Sequence, residues 1–303
     1  MSSPTPQASV IVPTRNRKDL LRGMIASCLA QSVPVEIIVV DDGSTDGTDQ
    51  MVRDEFPQAR YQRFEGPNGP CFLRNRGSEM ASTEFLFPFD DDVALSSPHT
   101  IEQTLRDFSD DRIAAVGIPY INTRIETFVR QQPRDRESIW VSETFVGAAH
   151  AIRRSRFLQV GGYREFLFYM GEEGDLTLRL LARGSVTRIG TADPILHFES
   201  PIRDRTRSGL YGRRNDILTT WLNTPLVRLP DRLISVTFNG LRHSIKKRRP
   251  FLGIRGLAWG YASVPRHLRE RDPVSPAVYG LYRRLCRGSL TLDEIRAELP
   301  PLK

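Results

Sequence analysis

Three consecutive carboxylates stand directly after a run of apolar residues. Asp90, Asp91 and Asp92 follow residues 85–89, which are Phe-Leu-Phe-Pro-Phe and are typical of a buried strand. Acidic side chains repel one another when they are crowded, so a chain that places several at the end of such a strand usually holds a cation there. The pattern predicts a divalent metal ion that carries phosphate, with a negatively charged surface turn as the alternative.

A second group of acids lies further along the chain. Glu172, Glu173 and Asp175 precede leucines spaced as on one face of a helix, and residues 182–184 end the pattern with Ala-Arg-Gly. Acids are favourable at a helix N-terminus because the helix dipole is positive there. We interpret Asp175 as the cap of this helix. Glu172 and Glu173 are then either reactive groups or solvated acids at its start.

The elements that must position these acids alternate along the first part of the chain. Short apolar runs predict strands at residues 9–12, 35–40, 60–64, 85–89 and 113–118. Helical spacing predicts helices at residues 18–29, 46–55, 72–80 and 98–108. Repeated strand, helix and strand units predict an α/β fold whose mostly parallel central sheet is covered on both faces. Ligands then belong at the carboxyl ends of the strands.

Polar residues follow three of the predicted strands. Pro13, Thr14 and Arg15 come after the first, Asp42 after the second and the aspartates after the fourth, so all three sites should open on one edge of the sheet. Asp42, in front of a tight Gly/Ser turn, could accept hydrogen bonds from a nucleotide base or ribose, and Asp46 could cap the next helix. A plain turn followed by a helix cap would explain the same residues.

Composition and charge predict two chemically different parts. The chain of 303 residues is 39% hydrophobic, and its three cysteines lie far apart, as expected for free thiols in a reducing compartment. We see no signal peptide and no run of about 18 apolar residues, and therefore expect a cytoplasmic protein. Residues 1–200 hold 22 basic and 28 acidic residues, whereas residues 201–303 hold 21 and 8. We predict a catalytic domain in the first range and a basic, mainly helical extension in the second.

The basic extension has two interpretations. Residues 228–249 carry an apolar stripe among basic residues, and Phe251, Trp259 and Tyr261 follow. Such a segment suits an anionic membrane surface, which would place the protein at the inner face of the cell membrane. We favour packing on the rest of the chain, or a contact within a homo-oligomer, because prolines interrupt any long helix. No nucleic-acid recognition motif accompanies the charge, so we expect no nucleic acid as a partner.

The ordered set of motifs resembles the family 2 glycosyltransferases of the GT-A fold. Its parts are Ser-Val-Ile-Val-Pro-Thr-Arg-Asn at residues 9–16, Val-Asp-Asp-Gly-Ser-Thr-Asp at 40–46 and Asp-Asp-Asp at 90–92. The similarity continues through residues 161–163 and 171–179 to His197 and thins out beyond it.

This resemblance implies an inverting enzyme that moves a sugar from a nucleotide-diphospho-sugar to an acceptor hydroxyl. The cofactor would be Mg²⁺ or Mn²⁺ on the diphosphate. A UDP-sugar is the commonest donor in the family, with thymidine and guanosine nucleotides left open. The acceptor would be a sugar, a lipid-linked compound or another hydroxyl compound, as in the synthesis of cell-surface polysaccharide, glycolipid or another glycoconjugate.

The resemblance also implies roles for single residues. The nucleotide-binding set would be Pro13, Thr14, Arg15, Asp42, Arg74, Asp90 and Asp91. Within it, Asp42 would bind the base and Asp90 would face the ribose or the metal, while Asp92 would be a metal ligand. His197 stands where related enzymes often complete the metal or diphosphate site, although a lone histidine after a strand is commonly structural. Arginines that could clamp phosphate, or form a solvated loop, are Arg203, Arg205 and Arg207.

The catalytic base would come from the second group of acids. The family's base is normally an aspartate, and Glu173 stands at its place when Asp175, Leu176 and Arg179 are matched to the motif. Because glutamate is one methylene longer, Glu172 stays open as a substitute. The base would take the proton of the acceptor hydroxyl during attack.

Two other functions are open from the sequence. A nucleotidyltransferase also places carboxylates around a metal-bound nucleotide, but more typically has a Gly-rich loop with Lys or Arg where this chain has residues 13–16. An inactive GT-A scaffold or membrane adaptor is the second, because glutamate replaces the usual aspartate at the base position.

Overall fold

Strands and helices alternate over the first half of the chain, and helices dominate its last third. The computed structural model describes residues 5–199 and 205–303. The strands in these ranges are β1 Ala8–Thr14, β2 Val35–Asp41, β3 Arg60–Arg63, β4 Phe85–Pro88, β5 Val93–Leu95, β6 Ile113–Gly117, β7 Tyr120–Asn122, β8 Trp140–Ser142, β9 His150–Arg153, β10 Val186–Ile189, β11 Ile195–His197 and β12 Leu290–Thr291. The α-helices there are α1 Lys18–Leu29, α2 Thr48–Glu55, α3 Pro70–Met80, α4 Thr100–Arg106, α5 Arg154–Gln159, α6 Glu172–Leu181, α7 Arg205–Asn223, α8 Leu229–Lys246, α9 Pro250–Ser263, α10 Pro276–Leu285 and α11 Leu292–Ile295.

The elements predicted up to residue 118 are all present, each within two residues of its predicted ends. The packing on both faces of β1 explains why its sequence is apolar without alternation. Val10 and Val12 pack in the core that α1 shares, whereas Ile11 packs in the layer that contains α3. Helices thus cover both faces of the strand. Asp46 accepts a hydrogen bond from the N–H of Thr48 at 3.2 Å and so stabilises the start of α2.

The main sheet has the strand order β12-β8-β10-β6-β9-β4-β1-β2-β3. The predicted parallel arrangement holds for β4, β1, β2 and β3, and for the pair β6 and β10. It does not hold for the whole sheet: β9 pairs antiparallel with both β4 and β6, and β8 pairs antiparallel with β10 and β12. The sheet is mixed because the chain after residue 118, where we predicted no strands, inserts strands of opposite direction.

A small second sheet brings β11, from the second half of the chain, beside β5, which follows β4. Its order is β5-β11-β7, and β11 runs antiparallel to β5 with His197 opposite Val93. The N–H of Phe198 donates to the carbonyl of Asp92 at 2.8 Å. This pairing brings a histidine to an aspartate that precedes it by more than a hundred residues.

The last third of the chain contributes to two layers. α7, α8 and α9 pack on one another, whereas Val278, Leu281 and Leu285 of α10 join the main core beside Leu178. β12 then adds to the edge of the main sheet. The predicted domain boundary between residues 200 and 201 lies outside the described residues. Among the helices of the described ranges, none combines the length and apolarity that crossing a lipid bilayer requires.

Candidate active site

A cleft of about 1110 Å³ lies at the carboxyl ends of β1, β2 and β4. The residues predicted from the sequence as site residues all line it: Pro13, Thr14, Arg15, Asp42, Arg74, Asp90, Asp91, Asp92, Glu172, Glu173 and His197. We call Asp90, Asp91 and Asp92 the first acidic cluster, and Glu172, Glu173 and Asp175 the second acidic cluster. The fold therefore brings the reactive candidates of both clusters to one cavity.

The aspartates of the first acidic cluster differ in their surroundings. Asp91 is buried and accepts hydrogen bonds from Thr14 Oγ1 at 2.8 Å and Arg17 Nη1 at 2.9 Å. Burial raises the pKa of Asp91 to about 7, although the charge of Arg17 opposes the shift. Asp90 is half-buried and its Oδ1 atom lies 2.6 Å from Arg74 Nη2. Asp91 is thus held by hydrogen bonds within the fold, whereas Asp90 is more exposed to the cleft.

Asp90, Asp92 and His197 form a set of possible metal ligands. One ligand atom of each lies within 4.8 Å of the others. His197 Nε2 is 3.4 Å from Asp92 Oδ1, and this buried oxygen has no hydrogen-bond partner within the described part of the chain. Carboxylate oxygens suit Mg²⁺ and Mn²⁺, and imidazole is more typical of transition metals. The donor set therefore fits a divalent cation, with the histidine favouring Mn²⁺.

Arg17 is a cleft residue that we did not single out from the sequence. Its Nη1 atom lies 2.9 Å from Asp91 Oδ1 and 3.0 Å from Asp92 Oδ2, so one guanidinium bridges two aspartates. Asn16 before it adopts a left-handed conformation, with φ of 52°, and accepts a hydrogen bond from the N–H of Thr45. The position of Arg17 could have indicated this contact. Arginine is unfavourable at the positive N-terminus of a helix unless acids lie nearby, and Arg17 directly precedes α1.

Asp42 organises one wall of the cleft. Its carboxylate accepts hydrogen bonds from the N–H groups of Asn68 at 2.8 Å and Gly69 at 3.2 Å, and from Asn68 Nδ2 at 2.9 Å. A Cβ atom at Gly66 would lie 2.5 Å from Asp42 Oδ1, so this glycine permits the close approach of the loop. Asp42 holds the loop against β2 and is exposed only slightly, and its contact with a base stays a prediction.

The second acidic cluster begins with two neighbouring carboxylates, of which Glu172 is buried and Glu173 is partly exposed. Glu172 and Glu173 are the first residues of α6, after Gly171 with φ of 86°. Burial raises the pKa of Glu172 to about 8, and the charge of Glu173 adds to the shift. Burial also raises the pKa of Glu173. Carboxylates with raised pKa values are stronger proton acceptors than free ones, as general-base catalysis near neutral pH requires.

Arg74 is the cation that joins the two clusters. It is 3% exposed, lies 2.6 Å from Asp90 and places Nη1 3.6 Å from Glu172 Oε1. Its Nη2 atom also donates to the carbonyl of Gly147 at 3.3 Å. A buried charge needs partners, and here carboxylates supply them. Arg74 was predicted to hold the nucleotide, and the structure places its guanidinium among the acids of the cleft.

Gly147 makes room for one of the glutamates. A Cβ atom at this position would lie 2.5 Å from Glu173 Oε1 and 3.2 Å from Arg74 Nη1. Any side chain would therefore displace the carboxylate or the guanidinium. The close approach of the loop to α6 depends on glycine at this position.

The prediction that Asp175 caps α6 is wrong. It is the fourth residue of the helix, past the cap position, and its oxygens lie 2.9 Å from Arg164 Nη1 and 2.8 Å from Arg179 Nη2. Asn223 Nδ2 also donates to it at 2.7 Å. Asp175 is therefore a buried structural charge that ties α6 to the end of α7.

One of the downstream arginines reaches the cleft. Arg207 lines the cavity, and its guanidinium lies 4.9 Å from the ring centre of Phe168 and 5.7 Å from that of Tyr169. Arg203 and the side chain of Arg205 lie outside the described residues. Arg207 thus borders the cleft at the start of the helical layer.

A family profile decides the relationship of the chain. The profile of glycosyl transferase family 2 matches residues 9–166, slightly more than half of the sequence. The chain belongs to this family. The resemblance seen in the motifs is thereby confirmed, and the first acidic cluster falls inside the matched range. The second acidic cluster and His197 fall beyond it.

Two named relatives support the assignment to this family. The succinoglycan biosynthesis protein ExoU of Rhizobium meliloti is 29% identical over 204 residues, which cover 59% of this chain and 58% of that protein. The GalNAc(5)-diNAcBac-PP-undecaprenol beta-1,3-glucosyltransferase of Campylobacter jejuni is 41% identical over 100 residues, 30% of this chain and 31% of that protein. The chain thus spans less than two thirds of these curated relatives.

Solved structures share the fold. A mannosyltransferase from Pyrobaculum calidifontis, in complex with GDP-Man and Mn²⁺, has a TM-score of 0.56 at 18% identity, over 93% of this chain and 80% of that one. S. aureus TarS 1-349 in complex with UDP has a TM-score of 0.55 at 17% identity, over 88% and 92%. The predicted GT-A fold with a helical C-terminal region is confirmed.

Proposed function

We propose that this family 2 protein is a metal-dependent, inverting glycosyltransferase. It would move a sugar from a nucleotide-diphospho-sugar to an acceptor hydroxyl. The observation that carries the proposal is that a set of possible metal ligands and a pair of neighbouring glutamates line one cleft, with the buried Arg74 in contact with Asp90 and Glu172. Sugar transfer needs a cation site and a base. The donor releases a nucleoside diphosphate, whose charge a cation stabilises, and the acceptor hydroxyl gives up a proton to a base.

The first acidic cluster would serve the donor. Asp90, Asp92 and His197 would hold Mn²⁺ or Mg²⁺, which neutralises charge on the leaving nucleoside diphosphate. The nucleotide would lie against Asp42 and Asp91. A UDP-sugar is our first choice of donor, supported by the UDP bound to TarS, and GDP-mannose, bound to the archaeal neighbour, is the alternative to test.

The second acidic cluster would serve the acceptor, with Glu173 as the base. Glu173 is partly exposed in the cleft, whereas Glu172 is 3% exposed and lies beside Arg74. A base must reach the acceptor hydroxyl, and accessibility therefore favours Glu173. Attack on the anomeric carbon from the face opposite the nucleotide inverts its configuration in one displacement.

The acceptor would be a sugar or a lipid-linked sugar of a cell-surface polysaccharide or glycolipid. The names of the Rhizobium and Campylobacter relatives, which refer to succinoglycan biosynthesis and to an undecaprenol-linked substrate, support this choice. We propose residues 1–200 as the catalytic domain, residues 201–303 as its extension, and a cytoplasmic location where nucleotide-sugars are made.

The test is a panel of nucleotide-sugars incubated with the full chain and Mn²⁺ or Mg²⁺. We expect release of a nucleoside diphosphate from one donor, slowly with water and faster with acceptor, and no release with a chelator. The anomeric proton coupling of the product should show inversion. Release of pyrophosphate from a nucleoside triphosphate would instead support a nucleotidyltransferase. Nucleotide binding without any turnover across donors and acceptors would support the inactive scaffold.

A further inference from the structure

We propose that α8 and α9 form a docking surface for an anionic phospholipid membrane. Large apolar side chains stand out from this helix pair, with exposed fractions of 71% at Ile234, 64% at Phe238, 63% at Ile245, 85% at Phe251 and 51% at Ile254. Single exposed apolar residues are ordinary on proteins. Several on neighbouring helices form a patch, and such patches usually mark an interaction surface.

The spacing of these residues gives each helix an apolar outer face. Ile234, Phe238 and Ile245 are separated by four and seven residues, so they lie on one side of α8. Leu229 and Gly240 lie on its other, buried side. The apolar outer face of α8 is therefore not needed for packing within the described part of the chain.

The two outer faces lie next to each other. Thr237 Oγ1 of α8 and Tyr261 OH of α9 form a 2.8 Å hydrogen bond near the surface. A Cβ atom at Gly253 would lie 2.2 Å from Ser244 Oγ, so the helices are in close contact. The exposed apolar residues of α8 and α9 thus belong to two helices that pack side by side.

The charge around the patch identifies its partner as anionic. Residues 226–269 contain ten Lys and Arg but only one acid, Asp231. Four of the basic residues are consecutive, at residues 246–249, and all four are exposed. Two copies of so basic a surface would repel each other, which argues against a second copy of this chain as the occupant. An anionic lipid surface offers negative headgroups to the rim and an apolar interior to the patch.

The helices fit a position in the plane of the membrane surface. α8 has one apolar side and one buried against the protein, and no helix in the described ranges could span a bilayer. A helix of this kind places its apolar side chains at the boundary between headgroups and acyl chains. Phe238 and Phe251 would enter this boundary, while Arg242, Lys246 and Arg249 would contact phosphates.

Side-chain contacts through α7 connect the helix pair to one wall of the cleft. Phe168 stacks on Tyr211 of α7 at 5.3 Å between ring centres, and Tyr211 contacts Trp259 of α9 at 5.0 Å. Asn215 of α7 donates to the carbonyls of Tyr169 and Met170, which border the cleft. A protein bound through this surface would hold its cleft near the membrane, which suits a lipid-linked acceptor; this extension rests on the proposed function.

Vesicle sedimentation of the full chain tests the proposal. We expect binding to vesicles of equal parts phosphatidylcholine and phosphatidylglycerol, weak binding to phosphatidylcholine alone, and loss of binding as salt rises. Phe238→Ser combined with Phe251→Ser should lower the partition coefficient by about tenfold or more, because two interfacial rings are lost. Lys246→Glu combined with Arg249→Glu should lower it by about thirtyfold or more.

Matched controls come from exposed residues elsewhere in the chain. Phe128→Ser removes a phenyl group that is 58% exposed outside the helix pair, and Arg53→Glu reverses a charge on α2. Both should leave vesicle binding within about twofold of the unchanged protein. Circular dichroism of each variant shows whether it is folded, and the charge-reversal pair, which removes no apolar contact, provides a second test.

Three outcomes would overturn the proposal. The first is equal binding to neutral and anionic vesicles, or none to either, and the second is an equal loss in the control variants. The third is a dimer in sedimentation velocity without lipid that Phe238→Ser dissociates, which would assign the patch to a second copy. Vesicle binding needs no turnover, so this result does not depend on whether the proposed transferase activity is found.

Discussion

The two acidic clusters use similar side chains in different ways. Each has one aspartate that the fold itself engages: Asp91 through Thr14 and Arg17, and Asp175 through two arginines and an asparagine. The remaining acids face the cleft. In the first cluster Asp92 Oδ1 lies 3.4 Å from His197 Nε2, whereas in the second cluster the buried Glu172 lies beside the partly exposed Glu173.

The surroundings of an acid, and not its residue type, therefore decide its chemistry. A carboxylate near other oxygen and nitrogen ligands can bind a cation. Carboxylates buried together keep their protons to higher pH, and each therefore becomes a better proton acceptor. Asp175, whose oxygens are engaged by Arg164, Arg179 and Asn223, instead contributes to the stability of the fold.

The largest effect is expected from Glu173→Gln, which removes the proposed base but keeps the shape of the side chain. We expect kcat to fall by about 10²–10⁴-fold, because general-base catalysis contributes that much, with nucleoside diphosphate binding unchanged. Steady-state kinetics and calorimetry measure the two quantities. Glu172→Gln is the matched control, and a larger loss of kcat there than at Glu173 would move the base to Glu172.

Asp175→Ala should act on stability. It leaves Arg164 and Arg179 buried without their carboxylate, and breaking such a buried pair costs about 3–5 kcal/mol. Urea unfolding followed by circular dichroism measures this free energy. Asp49→Ala removes only an exposed pair with Arg53 and should cost less than about 0.5 kcal/mol. Similar decreases in the free energy of unfolding in both variants would contradict a structural role for Asp175.

Asp92→Asn should act on the cation. The change keeps the size of the side chain but removes the charge of a proposed ligand, so Mn²⁺-dependent binding of UDP should weaken by about 10–100-fold. Calorimetry with and without Mn²⁺ measures it, and the metal-independent part should change little. Asp54→Asn on the exposed side of α2 is the control. Unchanged Mn²⁺ dependence in Asp92→Asn would refute the metal role.

The smallest effect concerns pH. Burial raises the pKa of Glu172 to about 8 and raises that of Glu173, and a base works only when it is ionised. The rate should therefore fall as pH drops through these raised values, which lie above the value of about 4.3 for free glutamate. Because the pKa of Glu172 is about 8, its carboxyl is mostly protonated where Glu173 titrates, and Glu172→Gln should move this limb by about one unit or less.

The profile is measured as kcat against pH at saturating donor and Mn²⁺. Because the two glutamates titrate together, the limb reports the pair and not one residue. A rate that is independent of pH down to 5 would contradict the assignment of either glutamate as the base.

Local motifs allowed much of the cleft to be predicted. Apolar runs located β1, β2 and β4, and the polar residues after them, including Asp42 and Asp92, do line one cavity. The sequence did not show that Arg17 bridges two aspartates or that Arg74 lies between the clusters. Those contacts join segments that are far apart in the chain, and no local spacing encodes them.

Contacts between distant segments also explain the predictions that were wrong. Asp175 had the composition of a helix cap, but two arginines and Asn223 converge on it from other elements. The antiparallel strand β9 enters the sheet between β4 and β6, although its four residues have no strong local pattern. Short segments take their conformation from the neighbours that they pair with.

Local patterns were enough to identify the family, the alternation of strands and helices and the sheet edge where acids collect, because hydrophobic periodicity and turn residues act over a few neighbouring positions. The folded chain was needed to show which acids other elements engage, which lie beside His197 and which contact the buried Arg74. Burial and charge interactions depend on distance in space, and the chain reveals those distances only after it has folded.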